Sequence, residues 1–276
     1  MNIINNIIFI LFIYKTYSFK KTYFTSISNN NQSDYKLINI LSRKYDNNIF
    51  TQGIFFSSDL KFLYESGGKY KNSSILKLNY PDLTINKKVY LKKNLFGEGI
   101  AQCNKYIYQL TWKEKQILKY NTNLKLLEII PLDKKLNEGW GLTNYNKNTL
   151  LLTDGSNKIY YLDCNKNLKI KKYLSIYDNN NKKVNSLNDL VYVNGSIYAN
   201  IFCEKYIVKI NEKNGKIEKN YYLDNLIENE INNYNLTYND LYNNGYVLNG
   251  ITYNKINNTF LVTGKNWNNF YEIVLK

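Results

Sequence analysis

The chain has 276 residues, 44% of them hydrophobic, enough to bury a sizeable core as one large domain or two small ones. Its formal charge is +15, yet Arg43 is the sole arginine and the lysines are scattered among asparagines, so a solvated basic surface is expected and no nucleic-acid partner. Histidine is absent, which excludes Ser-His-Asp and Cys-His catalysis and histidine-ligated zinc and leaves proton transfer to Asp, Glu, Lys, Tyr or Cys.

Residues 1–24 stand apart. Ile7 to Tyr14 is an apolar run followed by Lys15, Lys20 and Lys21. It is shorter than the roughly 20 residues of a membrane span and suits the core of a signal peptide. The residues before the run carry no Lys or Arg, and no small-x-small cleavage site follows. The expectation is therefore a signal peptide or an uncleaved signal anchor. Either places the protein in the secretory pathway, secreted or anchored, and confines any membrane attachment to this segment. Residues 25–34, with Ser26-Ile-Ser-Asn-Asn-Asn-Gln-Ser33, read as a polar linker.

Residues 35–276 read as short strands separated by Asn, Asp, Gly and Ser turns. The 28 tyrosines and 2 prolines favour this. The stretch from Leu223 to Leu241 reads as a polar helical insertion. An internal repeat runs through the rest. Ile75-Leu-Lys-Leu-Asn79, Ile117-Leu-Lys-Tyr-Asn121, Ile159-Tyr-Tyr-Leu-Asp163 and Ile207-Val-Lys-Ile-Asn211 are copies of one strand-and-turn, with Phe270 to Leu275 a fifth. Another strand precedes each copy. Before that strand lies a short segment marked by Gly or Asn: Gln52-Gly-Ile, Glu98-Gly-Ile, Trp140-Gly-Leu, Asn188-Asp-Leu or Asn249-Gly-Ile. The spacing of roughly 42 to 60 residues is the period of four-stranded propeller blades. The last unit stops at Lys276 after its third strand, and Tyr35 to Leu41 supplies the missing outer one. The fold class expected is thus all-β, a five-bladed β-propeller closed by an N-terminal strand, with an irregular sandwich as the alternative.

In a propeller the first strand of each blade lines the central channel, and its start lies on the same face as the end of the second strand. That places Gln52, Glu98, Trp140, Asn188 and Asn249 around one mouth with Trp112, Phe202 and Lys265. Glu65 and Asp154 fill the corresponding positions of the remaining blades. A few polar groups among aromatic walls make a small-molecule pocket. Glu98 sits between Gly97 and Gly99, which leaves it without side-chain cover and lets backbone approach a ligand. No metal-ligand set and no cofactor are expected. Cys103, Cys164 and Cys203 lack metal-ligand spacing and cannot all pair within the chain. Buried free thiols are the default, with one disulfide open in an oxidising compartment.

A set of motifs then occurs in order: Phe50-Thr-Gln-Gly53, Tyr64-Glu-Ser66, Phe96-Gly-Glu-Gly-Ile100, Gln109-Leu-Thr-Trp-Lys-Glu114, Gly139-Trp-Gly-Leu142, Thr153-Asp-Gly-Ser156, Leu187-Asn-Asp-Leu190, Leu248-Asn-Gly-Ile251 and Val262-Thr-Gly-Lys-Asn-Trp267. Together they resemble the glutamine cyclotransferase family, the plant and bacterial type of glutaminyl-peptide cyclotransferase, from about Asp46 to Lys276. That family is a five-bladed propeller, unrelated to the zinc-dependent animal-type cyclase. The resemblance implies conversion of the N-terminal glutamine of peptides or proteins to pyroglutamate with release of ammonia. It casts Glu98 as the proton shuttle, and Asn188 and Lys265 as the groups that polarise the γ-carbonyl and hold the oxyanion. Gln52 matches a substrate-contacting position, and Phe50, Phe96, Trp112 and Trp140 match aromatic walls. Phe202 stands where the family usually has tryptophan, keeping an apolar wall but losing an N–H donor. Asn188-Asp189 replaces the more usual Asn-Glu and keeps the charge. The competing expectation is a catalytically idle secreted propeller acting as a binding or scaffold module, since fold alone does not fix function.

Overall fold

The structure is a computed structural model that describes residues 33–45, 49–234 and 245–276. The expected signal segment, nearly all of the linker and the far end of the helical insertion lie outside the described residues. Twenty strands form five four-stranded antiparallel sheets. After β1 (Tyr35–Ser42), the first blade holds β2 (Thr51–Phe56), β3 (Phe62–Gly67), β4 (Ser74–Asn79) and β5 (Ile85–Tyr90). The second holds β6 (Gly97–Cys103), β7 (Tyr106–Thr111), β8 (Gln116–Asn121) and β9 (Leu126–Pro131). The third holds β10 (Leu142–Asn146), β11 (Thr149–Thr153), β12 (Lys158–Asp163) and β13 (Lys169–Ser175). The fourth holds β14 (Leu187–Val193), β15 (Ser196–Ile201), β16 (Tyr206–Asn211) and β17 (Ile217–Tyr222). An eleven-residue helix, α1 (Asp224–Tyr234), intervenes. The fifth blade holds β18 (Leu248–Asn254), β19 (Thr259–Gly264) and β20 (Asn269–Leu275), with β1 antiparallel to β20 on its outer edge.

Burial follows rank within a blade. The inner strands β2 and β6 are almost wholly buried, whereas the outer strands β5 and β9 are largely exposed. In the third-strand repeat Ile-x-Lys the apolar positions are buried and the lysine is the less buried one: in β8, Ile117, Leu118 and Tyr120 are buried while Lys119 is half-buried. Each inter-blade space is filled by its own apolar cluster. Leu63, Leu76, Leu78 and Phe270 fill one, and Leu110, Leu142, Leu150 and Tyr160 another.

A single guanidinium stitches the fifth blade to the first. Arg43, the residue after β1, is fully buried against Glu65 of β3 at 2.6 Å. Its Nη2 donates to Thr51 Oγ1 on β2 (3.0 Å) and Thr263 Oγ1 on β19 (3.2 Å). Its Nε donates to the Trp267 carbonyl (2.9 Å), and its plane lies 4.1 Å from the centre of the Phe270 ring. Glu65 therefore leaves the set expected at the channel mouth, because its carboxylate belongs to this seam. Asp154 leaves it too, accepting the Ser156 N–H and the Asn137 N–H.

Two of the three cysteines are not free thiols. Cys103 at the end of β6 and Cys164 beyond β12 form a disulfide between the second and third blades, and Cys203 lies outside that bond. The default of buried free thiols fails because the two blade edges bring residues 61 positions apart within bonding reach, a proximity that no sequence spacing encodes.

Removing one member of a buried ion pair strands the other. Glu65→Ala is expected to cost about 3–5 kcal/mol in urea denaturation. Glu128→Ala, which breaks the solvent-facing Lys119–Glu128 pair, should cost less than about 1 kcal/mol. Equal losses for the two variants would remove the seam from the account of stability.

Candidate active site

The inner strands carry an extra residue where the polar groups sit. In β6 the register with β7 slips between Gly97 and Ile100, so Glu98 lies within a β-bulge. The same slip brackets Gln52 in β2, Asn188 and Asp189 in β14, and Asn249 in β18. A bulge breaks the strict in-out alternation of a strand and re-aims the side chain it contains. Four blades thus place a polar side chain at the same height of the channel by the same backbone device.

Gly99 allows the blades to meet there. A Cβ at this position would lie 2.5 Å from the Trp140 carbonyl and from the Leu142 nitrogen, and the Gly99 N–H donates to that carbonyl at 2.6 Å. The glycine after Glu98 is required by the backbone of the neighbouring blade. Gly141 does the same one blade further on, where a Cβ would fall 2.1 Å from the Asn188 carbonyl.

Above this floor the side chains close into a ring. Lys265 Nζ lies 4.9 Å from the centre of the Phe50 ring and 5.1 Å from that of Phe202. Phe50 meets Phe96 edge-on at 6.3 Å, and Phe96 meets Trp112 at 5.5 Å. Trp140 meets Phe202 edge-on at 5.8 Å. Glu138 joins the two halves, since its Oε2 accepts the indole N–H of Trp140 at 2.9 Å and that of Trp112. Lys265 Nζ also donates to Gln52 Oε1 at 2.7 Å.

The electrostatics follow from burial. Glu98 is 6% exposed and Lys265 is 4% exposed. Desolvation pushes the Glu98 carboxyl well above its ordinary value, and Glu138, Glu114 and Asp189 push the same way while Lys265 opposes them. Desolvation pulls the Lys265 ammonium down, with Glu98 resisting. Asp189 is raised by the same burial, although the Ile251 N–H donates to it at 2.9 Å. Asn188 is buried and its Oδ1 has no hydrogen-bond partner within the protein. A buried polar atom left open costs stability unless a ligand or water meets it. A carboxyl of raised proton affinity, a desolvated lysine set among aromatic rings and a buried amide whose oxygen is open are equipped to move a proton beside a carbonyl.

The glutamine cyclotransferase family profile matches residues 10–275 of the chain. The chain belongs to that family. It is 29% identical over 239 residues to the glutaminyl-peptide cyclotransferase of Arabidopsis thaliana, covering 84% of this chain and 69% of that protein. The crystal structure of Myxococcus xanthus glutaminyl cyclase matches with a TM-score of 0.75 over 88% of this chain and 96% of the other. At 24% identity that likeness speaks for the fold.

Within this glutamine cyclotransferase, the nine residues expected at the site divide in two. Gln52, Phe50, Phe96, Trp112, Trp140, Phe202 and Lys265 are linked by direct contacts, and Glu98 is coupled to Lys265 through charge. Asn188 enters through its neighbour Asp189 and its open amide oxygen, without a direct contact to the others. The sequence reading missed Glu138 and Glu230. Glu138 immediately precedes Gly139-Trp-Gly, and a carboxylate beside two indoles was the available signal. Glu230 of α1 is fully buried and accepts from the Asn268 N–H (2.9 Å), Asn269 Nδ2 (2.7 Å) and the Tyr271 hydroxyl (2.6 Å). It grips the turn after β19 that carries Lys265, and nothing in a polar helix announced that.

Proposed function

We propose that the chain is a glutaminyl-peptide cyclotransferase acting on peptides or proteins with an N-terminal glutamine. The observation that carries this reading, together with family membership, is the buried Glu98 on the bulge of β6 coupled by charge to the buried Lys265, whose head lies between the Phe50 and Phe202 rings. The α-amine attacks the γ-carboxamide carbon of the same residue. A C–N bond forms, the carboxamide C–N bond breaks, ammonia leaves and a five-membered lactam remains. Glu98 takes the proton from the attacking amine and delivers it to the departing nitrogen, so the carboxylate ends as it began. Lys265 and the Asn188 side-chain amide hold the oxygen of the tetrahedral intermediate, where desolvation strengthens each donor. Gln52 holds the lysine head until substrate arrives. The aromatic walls exclude water and fold the glutamine side chain back on its own amine.

The protein is proposed to work in the secretory pathway, a reading supported by the Cys103–Cys164 bridge, since such bonds persist in oxidising compartments. Recovery of the full chain from cytosol with Cys103 reactive to a thiol reagent would overturn that placement.

Mass spectrometry of a Gln-initiated peptide is expected to show loss of one ammonia with the parent protein and none with Glu98→Gln, both proteins remaining folded. No turnover by the parent would leave the idle propeller. Only the ionised carboxylate accepts a proton, and burial raises Glu98, so kcat should fall on the acid side at a pH well above the ordinary carboxylate value of 4.5. Lys265→Met removes the cation that opposes this rise and should move the acid limb of the residual activity to still higher pH.

Phe202 contributes only an apolar edge against Trp140 and Lys265. Phe202→Trp adds an N–H donor and area to the wall, and should lower KM a few-fold with kcat nearly constant. A fall in kcat alone would place this residue outside substrate positioning.

A further inference from the structure

Glu138 lies outside every motif that carries the family resemblance, yet it occupies a singular place in the ring. One of its oxygens, Oε2, receives both the Trp112 and the Trp140 indole N–H. These tryptophans come from different blades: Trp112 follows β7 and Trp140 precedes β10. The two indoles meet on this one carboxylate oxygen, which links the two parts of the wall. A carboxylate receiving two N–H groups makes charge-assisted bonds, about twice as strong as neutral ones, and holds both rings at set angles. The backbone reinforces the clamp, since the Trp112 N–H donates to the Phe96 carbonyl at 3.0 Å and the Trp140 N–H to the Thr153 carbonyl at 3.0 Å. The same charge reaches Glu98. The ionisable groups that act on Glu98 are Lys265 beyond β19, Glu138 before β10, Glu114 beyond β7 and Asp189 on β14, and Tyr70 beyond β3 feels its charge in turn. Glu138 heads the carboxylates among them.

Building on the cyclotransferase reading, we propose that Glu138 is a positioning residue with two effects: it clamps Trp112 and Trp140 as the substrate-facing wall, and its negative charge sets the proton affinity of Glu98. It touches neither the reacting carbon nor the attacking amine. The clamp and the charge are separable by substitution. Glu138→Gln keeps an oxygen acceptor for the indoles and removes the charge. Glu138→Ala removes both.

Three measurements on the full chain test this. In nitrogen-15 spectra of the indoles, Glu138→Gln should shift the Trp112 and Trp140 resonances and leave Trp267, whose N–H points to the Tyr246 carbonyl at 3.4 Å, unmoved. In carbon-13 spectra of the carboxyl groups, the Glu98 signal, assigned through Glu98→Gln, should titrate at lower pH in Glu138→Gln, by about half a unit or more. The acid limb of kcat should move in the same direction by the same amount. For the clamp, Glu138→Ala should raise KM about ten-fold while Glu138→Gln stays near the parent. Unmoved Trp112 and Trp140 resonances, an unmoved Glu98 titration, or equal KM changes in the two variants would each overturn the proposal. The two spectroscopic measurements need no turnover. Failure of the parent to cyclise Gln-peptides would defeat the cyclotransferase reading alone, and the spectra would still decide the role of Glu138.

Discussion

Keeping one carboxyl and one ammonium out of water is the constraint around which the site is built. Burial penalises the charged form of both Glu98 and Lys265, and each is pulled back toward its charged form by the other. The extra carboxylates Glu138, Glu114 and Asp189 tilt the balance toward a protonated Glu98. A carboxyl whose proton affinity is raised by burial takes and releases a proton above the ordinary carboxylate range, which an exposed glutamate does not. The cost of desolvation must be borne by the rest of the molecule, and the packing around the ring shows where.

The turn after β19 is held firmly by the surrounding elements. Lys265 stands at its start, and the turn is gripped from both sides. Arg43 donates to the Trp267 carbonyl from the seam with the first blade, and Glu230 of α1 receives the Asn268 N–H and the Asn269 side chain. Two buried charged groups, one from each end of the chain's architecture, thereby fix the backbone that aims the lysine. This gives the lone arginine a role inside the protein. It also gives α1 a purpose: the helix interrupts the propeller repeat but delivers a carboxylate that no strand could supply at that point.

Much of this was legible in the residues. The Ile-x-Lys strands, the glycine- or asparagine-marked segments before them and the tyrosine-rich composition pointed to blades, and every expected unit matches a sheet. Strand periodicity is local, so it survives in a linear reading. The mouth residues followed from the repeat, because the same register in each blade lands at the same height. Glu65 and Asp154 were misplaced for an instructive reason. Blade geometry brings the end of each second strand to the correct face, but where a carboxylate there points depends on its donors: a cation 22 residues away in sequence for Glu65, and backbone N–H groups for Asp154. Glu138, Glu230 and the Cys103–Cys164 bridge were hidden for the same reason, since each depends on a partner from another blade or element.

The sequence by itself determined the repeat, the five-bladed architecture and the family to which the chain belongs, because these rest on local alternation and ordered motifs. It also determined that proton transfer would fall to groups other than histidine. Only the tertiary structure decided that a β-bulge presents Glu98, that Gly99 serves the next blade's backbone, and that Glu138 ties two indoles together. Those features come from inner strands converging on one axis, where backbones approach closely, water is excluded and charges from distant positions meet at low dielectric. Convergence of that kind leaves no mark on the spacing of residues along the chain.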